Sequence, residues 1–223
     1  MRSLVGITAL IGLAAALAAV PPAQAGTLQG EVQVTEQVGG RKDALDDRGN
    51  AVIFLSGFRE PPPAGRQATL AQENKAFSQR VLVVTQGEGV SFPNHDNIHH
   101  NVWSKSGTKS FDLGLYKNPD SKLVTFDKPG MVTVFCNIHP QMIATILVLP
   151  NTKYAVTGND GAYRIEGIKP GQYEAFAWVE GAKPARHTVT IEDGKPTEFN
   201  FNLVLQRIPI RHLNKDGKPY EKY

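Results

Sequence analysis

Val132-Thr133-Val134-Phe135-Cys136-Asn137-Ile138-His139-Pro140-Gln141-Met142-Ile143-Ala144-Thr145-Ile146-Leu147-Val148-Leu149 is the stretch that decides how this chain reads. Two apolar, β-prone runs, 132–135 and 144–149, flank a short polar loop, as two strands joined by a tight connection would. Cys136 ends the first run and is the only cysteine in the chain. The loop then carries His139 and Met142, and Pro140 stiffens the turn by fixing its own φ. A second imidazole is offered upstream, in His100-Asn101-Val102, on a separate strand. Two imidazoles, one thiolate and a thioether form the ligand set that suits a mononuclear electron-transfer copper.

Roles follow from ligand chemistry. Cys136, as thiolate, gives the strongest bond, and a bound metal enforces its deprotonation. His100 and His139 complete a trigonal plane. Met142 supplies a long axial contact that tunes the potential. Cysteine with two histidines and an open position also suits zinc, but a thioether is a poor choice for that ion. His99 adjoins His100, and consecutive strand residues face opposite ways, so only one of the two can point at the ion. The His-Asn-Val register favours His100 over His99. His95 reads as a loop histidine, His187 and His212 as surface residues, Met131 as packing, and Asp112 as a loop carboxylate. Trp103 and Trp178 read as core or interface residues, and Tyr163 and Tyr173 as ordinary strand residues.

From residue 67 onward, short apolar runs alternate with turn signals such as Gly87-Glu88-Gly89 and Lys128-Pro129-Gly130, and no long segment has a helical apolar period. The expected fold class is all-β. Strands are expected at 81–84, 90–92, 101–104, 123–126, 132–135 and 144–149. After Pro150 the texture changes. Asn159-Asp160-Gly161 precedes Ala162-Tyr163-Arg164-Ile165, and Lys169-Pro170-Gly171 precedes a run to Trp178. In the last strand Phe199, Phe201, Leu203 and Leu205 share one face. This part resembles the carboxypeptidase regulatory-like family, whose Asp-Gly-aromatic strand is followed by a Pro-Gly-x-Tyr strand. That family opens with a Gly-x-Val strand and an Ala-Val strand, and here those stand far upstream, as Gly30-Glu31-Val32 and Ala51-Val52-Ile53. The resemblance implies one β-sandwich made of 27–58 and 151–206, with the metal-binding domain inserted within it. The alternative is that 27–58 adds edge strands to the middle domain. Residues 59–66, with Pro61-Pro62-Pro63, read as a stiff linker, and 207–223 as a polar tail.

Residues 67–149 resemble a cupredoxin, the type 1 blue-copper Greek-key β-sandwich of plastocyanin and amicyanin. The cues are His-Asn-Val and Cys-x-x-His-x-x-Met. The resemblance implies one type 1 copper bound by His100, Cys136, His139 and Met142. It also implies an Asn101 side chain that ties the two ligand loops together, and His139 as the exposed ligand through which electrons pass. The two-residue gap between His139 and Met142 is similar to the amicyanin loop. The whole chain also resembles bacterial proteins labelled methylamine-utilisation or plastocyanin-like.

The first 25 residues have a separate logic. A basic start at Arg2, an almost wholly apolar stretch from 4 to 20, and Ala23-Gln24-Ala25 make the pattern of a secretory signal peptide. The expected location is the periplasm, an oxidising compartment in which a lone cysteine points to a ligand or a reactive thiol. A net charge of +3 with no basic run gives no case for nucleic acid. There is no Gly-x-Ser-x-Gly elbow, phosphate loop or His-Glu-x-x-His, so hydrolase and nucleotide chemistry lack support. The first expectation is therefore an electron carrier and not an enzyme, exchanging single electrons with a protein such as a c-type cytochrome or a periplasmic dehydrogenase. The alternatives are a copper-delivery protein, and a binding module whose metal site lies outside any redox circuit.

Overall fold

The computed structural model describes residues 24–38, 41–206 and 212–220, and the regular structure in them is β throughout. The leader segment expected over 1–25 lies, except for its last two residues, outside the described part, as do 207–211 and 221–223 of the tail. Among the described residues no helix is long and apolar enough to cross a membrane.

Residues 67–149 build two sheets facing one another. The larger runs in the order Ser110–Tyr116, His100–Lys105, Gly130–Cys136, Ile143–Leu149, Val81–Thr85. Its last pair is parallel and the others antiparallel. The smaller holds Ser121–Phe126, Glu88–Pro93 and Gln67–Thr69. Alternation explains the core between them. In Glu88–Pro93, Val90 and Phe92 are buried while Ser91 is half-exposed, and Val132 and Val134 do the same on Gly130–Cys136. These side chains join Leu82, Val84, Phe126, Ile146 and Val148 in one cluster. Each such burial contributes about 1.5–3 kcal/mol.

A second core lies in the rest of the chain. Leu28, Val32 and Val34 from Gly26–Val38, with Ala51, Ile53 and Leu55, pack against Tyr163, Ile165, Val189, Phe201 and Leu203. Gly26–Val38 runs antiparallel to Ala162–Ile168 and parallel to Phe201–Leu205. The opposite sheet has the order Tyr154–Val156, Val52–Ser56, Gly171–Trp178, Ala185–Ile191. The Asn159-Asp160-Gly161 turn is tied in by the amide of Val32, which donates to the Gly161 carbonyl at 2.8 Å. Gly161 has φ +73°, and a Cβ there would sit 2.4 Å from the Val32 carbonyl oxygen, so only glycine fits.

Strands 81–85 and 143–149 carry almost unbroken apolar runs because both of their faces are covered. Leu82, Val84, Ile146 and Val148 point into the first core. Val81, Val83, Leu147 and Leu149 point the other way, onto Val52, Phe54, Tyr154 and Trp178 of the second sandwich. The two sandwiches therefore share an apolar seam. Arg80 adds a bidentate contact to Glu180, at 2.7 and 2.9 Å.

Residues 59–66, expected as a stiff linker, are tied down at both ends: the Glu60 amide donates to the Pro150 carbonyl (3.0 Å), and Arg66 reaches Glu88 and Tyr154, both at 3.0 Å. Two expectations need correction. Met131 was expected to pack, but it is 49% exposed. Its position falls on the outward phase of a strand in which Val132 and Val134 take the inward one. Asp112 is not in a loop but on strand Ser110–Tyr116, which carries a register irregularity between Asp112 and Leu115.

Candidate metal centre

Cys136 is the last residue of its strand and pairs across to Val102, so its strand lies directly beside the one that carries His100. The connection out of Cys136 is closed by hydrogen bonds. The Cys136 amide donates to the Met142 carbonyl (3.1 Å), and the Met142 amide donates to the His139 carbonyl (3.0 Å). That closure turns His139 back toward the strand end it has just left. His100 is fully buried, whereas His99 and His95 are exposed. Met142 is fully buried in the same core as Cys136.

The donor atoms of His100, Cys136 and His139 all lie within 4.8 Å of one another. Cys136 Sγ stands 3.8 Å from Nδ1 of each histidine, and the two Nδ1 atoms are 3.1 Å apart. Bonds of about 2.0 Å to nitrogen and about 2.3 Å to sulfur, meeting at about 120°, place sulfur and nitrogen about 3.7 Å apart and the two nitrogens about 3.5 Å apart, and a narrower N–metal–N angle of about 100° brings the nitrogens to about 3.1 Å. The donor spacing thus matches one first-row ion at a common centre. A buried cluster of one sulfur and two ring nitrogens, with a thioether following on the same loop, has the softness that copper prefers.

The electrostatics are asymmetric. Burial pushes the Cys136 thiol up, but the His100 imidazole and the main-chain N–H groups of Asn101, Ile138 and His139 outweigh it and hold the thiol below its usual range. Burial pushes His100 down, yet contact with Cys136 and Asp96 raises it overall. His139 is lowered, first by burial and then by the charges of His100 and Lys75. The thiolate, the form that binds metal, is thus favoured relative to an ordinary cysteine.

Asn101 does not work as expected. Its side chain donates to Asp112 Oδ1 (2.6 Å), on the neighbouring strand. The link to the cysteine loop is made by its main chain, whose carbonyl accepts from the Asn137 amide at 3.0 Å. The residue adjoins the centre, but its amide group is turned toward the sheet edge.

Two further groups were not singled out from the sequence. Asp96 Oδ2 lies 2.8 Å from His100 Nε2, on the far side of the ring from the cluster. The available signal was a carboxylate four residues before a candidate ligand, hidden in the polar turn Pro93-Asn94-His95-Asp96. The second is the tail, which in its described part, 212–220, folds back on the ligand loop. His212 Nε2 is 2.8 Å from the Pro140 carbonyl, and its ring lies tilted against Phe135 with centroids 4.5 Å apart. The Lys215 amide donates to Asn137 Oδ1 (2.8 Å), and the Tyr220 hydroxyl donates to the Cys136 carbonyl (2.9 Å). His212, expected as a surface residue, is half-buried in this contact.

These elements describe an all-β protein with a largely buried cysteine–histidine cluster at one end of a sandwich. A family profile for the carboxypeptidase regulatory-like domain matches residues 130–204. In the structure 130–149 belong to the first core, and the strands that complete the second sandwich are Gly26–Val38 and Val52–Ser56. Among solved structures, the chain is similar to amicyanin from Paracoccus versutus (24% identity, TM-score 0.35, covering 43% of this chain and 96% of that one). It is similar to a purple cupredoxin from Nitrosopumilus maritimus (20%, TM-score 0.33, 37% and 99%). It is also similar to the Cu-containing nitrite reductase of Thermus scotoductus SA-01 (24%, TM-score 0.36, 40% and 25%), of whose length it spans a quarter. No curated protein sequence matches the chain.

Proposed function

We propose that this protein is a type 1 copper protein that carries single electrons between protein partners. The observation that carries this reading is the convergence of Cys136 Sγ with Nδ1 of His100 and of His139 in a largely buried cluster. His100, Cys136 and His139 would hold the ion and Met142 would complete the set. Copper, when bound, supplies a one-electron couple. The chain's own contribution is rigidity. His100 and Cys136 sit on adjacent strands of one sheet, and hydrogen bonds close the 136–142 loop. Fixed donors need little rearrangement when the charge at the centre changes, the condition for fast electron transfer. Four protein donors also leave no position for a substrate, which favours a carrier over an enzyme.

The exposed side of the ligand loop, with half-buried His139 and exposed Pro140 and Gln141, is the proposed port for electrons. The partner we propose is a c-type cytochrome or a periplasmic dehydrogenase, with residues 1–25 directing export. The test is the optical spectrum of copper-loaded Cys136→Ser protein. We expect the intense blue band of the wild type to be absent; a variant that kept it would refute the assignment.

A further inference from the structure

Nδ1 of His100 faces the sulfur and the second imidazole, so for that nitrogen to offer a lone pair the ring must carry its proton on Nε2. Asp96 meets that requirement. Its Oδ2 accepts at 2.8 Å from Nε2, and its side chain is only 14% exposed. The carboxylate is itself held in place. Oδ1 accepts from the Asn74 amide (2.7 Å) and Oδ2 from the Lys75 amide (2.9 Å). Both donors lie at the turn of the hairpin formed by Gln72–Glu73 and Ala76–Phe77, and both have left-handed φ, 55° and 56°. Non-glycine residues adopt that conformation rarely, and here it turns two successive N–H groups onto one carboxylate. The hairpin is anchored in turn. The His95 amide donates to the Gln72 carbonyl (2.9 Å), and buried Gln72 donates to the Tyr116 hydroxyl (2.7 Å).

We propose that Asp96 is a positioning residue of the metal centre: it fixes the Nε2–H form of His100, aims Nδ1 at the ion, and by its charge favours the oxidised over the reduced ion. The proposal rests on the copper reading. A carboxylate behind a ligating imidazole raises the basicity of the ligand, and its removal typically lowers metal affinity about 10- to 100-fold. One negative charge stabilises a doubly charged ion more than a singly charged one. The loss on replacing Asp96 should therefore fall mainly on Cu(II).

The test uses full-length protein in two arms. In the first, nitrogen NMR of the metal-free wild type at alkaline pH, where the ring is neutral, should place the His100 proton on Nε2 and show it protected from exchange. A proton on Nδ1 would overturn the proposal. In the second, Asp96→Asn keeps an acceptor but removes the charge. We expect it to bind one copper with Cu(II) affinity lowered at least tenfold and Cu(I) affinity near wild type. The reduction potential should rise accordingly, by about 59 mV per tenfold. An unchanged potential at full copper loading would overturn it. The first arm stands even if the variant does not fold. Failure of wild-type protein to develop the blue band would count against the copper reading alone, because the first arm uses no metal.

Discussion

Cys136 is buried among groups that stabilise its charged form, and that local environment, more than its place in the chain, suits it to the proposed role of ligand. Met142 is buried as well, so its two roles, packing and ligation, separate by substitution. Met142→Leu conserves volume and should cost less than about 1.5 kcal/mol. We expect a melting temperature close to wild type together with a shifted reduction potential; no shift in potential would remove Met142 from the ligand set. Gly161 offers a test remote from the centre. Gly161→Ala forces a side chain into left-handed φ and against the Val32 carbonyl. It should destabilise by at least about 1 kcal/mol, read as a fall in the denaturant midpoint. At this scale the convergence of Cys136 with His100 and His139 was legible in the sequence because sulfur and imidazole chemistry is specific. Asp96 was not, because a carboxylate in a polar turn looks the same whether it caps an N–H or braces a ring.

The strands were legible where alternation or unbroken apolar runs reported their burial, as in 81–85 and 143–149. The closing segment was not. Its contacts come from single residues, His212, Lys215 and Tyr220, spaced by Gly and Pro without any period. Lys215 also bonds Asp112 at 2.8 Å, and Asp112 accepts from Asn101, so the segment grips both elements that carry the cysteine–histidine cluster. Removing one such bond, as in Tyr220→Phe, should cost about 0.5–1.5 kcal/mol. We expect faster loss of copper to a chelator from that variant; an unchanged rate would show that the segment does not brace the loop. Docking should also depend on pH. Burial raises the Asp112 pKa, but Lys215, Asn101 and Gly114 outweigh it and the folded value is lowered. Its contribution is therefore present above the unfolded value, about 3.9, and is lost as pH falls through the lower folded one. Amide exchange over 212–220 should rise across that acid window, and Asp112→Asn should flatten the dependence.

Across the whole molecule, the seam of Val81, Val83, Leu147 and Leu149 against Val52, Phe54, Tyr154 and Trp178 ties the two cores together. Its presence was readable only in outline: two strands too apolar for a sheet with one wet face, and Trp178, read as a core or interface residue. Which partner covered them depends on long-range packing that no local pattern encodes. The seam predicts one cooperative calorimetric transition for both sandwiches, and Trp178→Ala should lower stability by about 3–5 kcal/mol. Two well-separated transitions in the wild type would show the sandwiches to be energetically independent. The centre sits in one of these bodies and is braced by three separate segments, the 72–77 hairpin, the ligand loop and the closing strap. Copper titration of the full-length protein, followed in the visible range, tests that arrangement most directly. We predict an intense blue band that saturates at one equivalent and bleaches on one-electron reduction. A colourless complex, or a band that keeps growing beyond one equivalent, would contradict it.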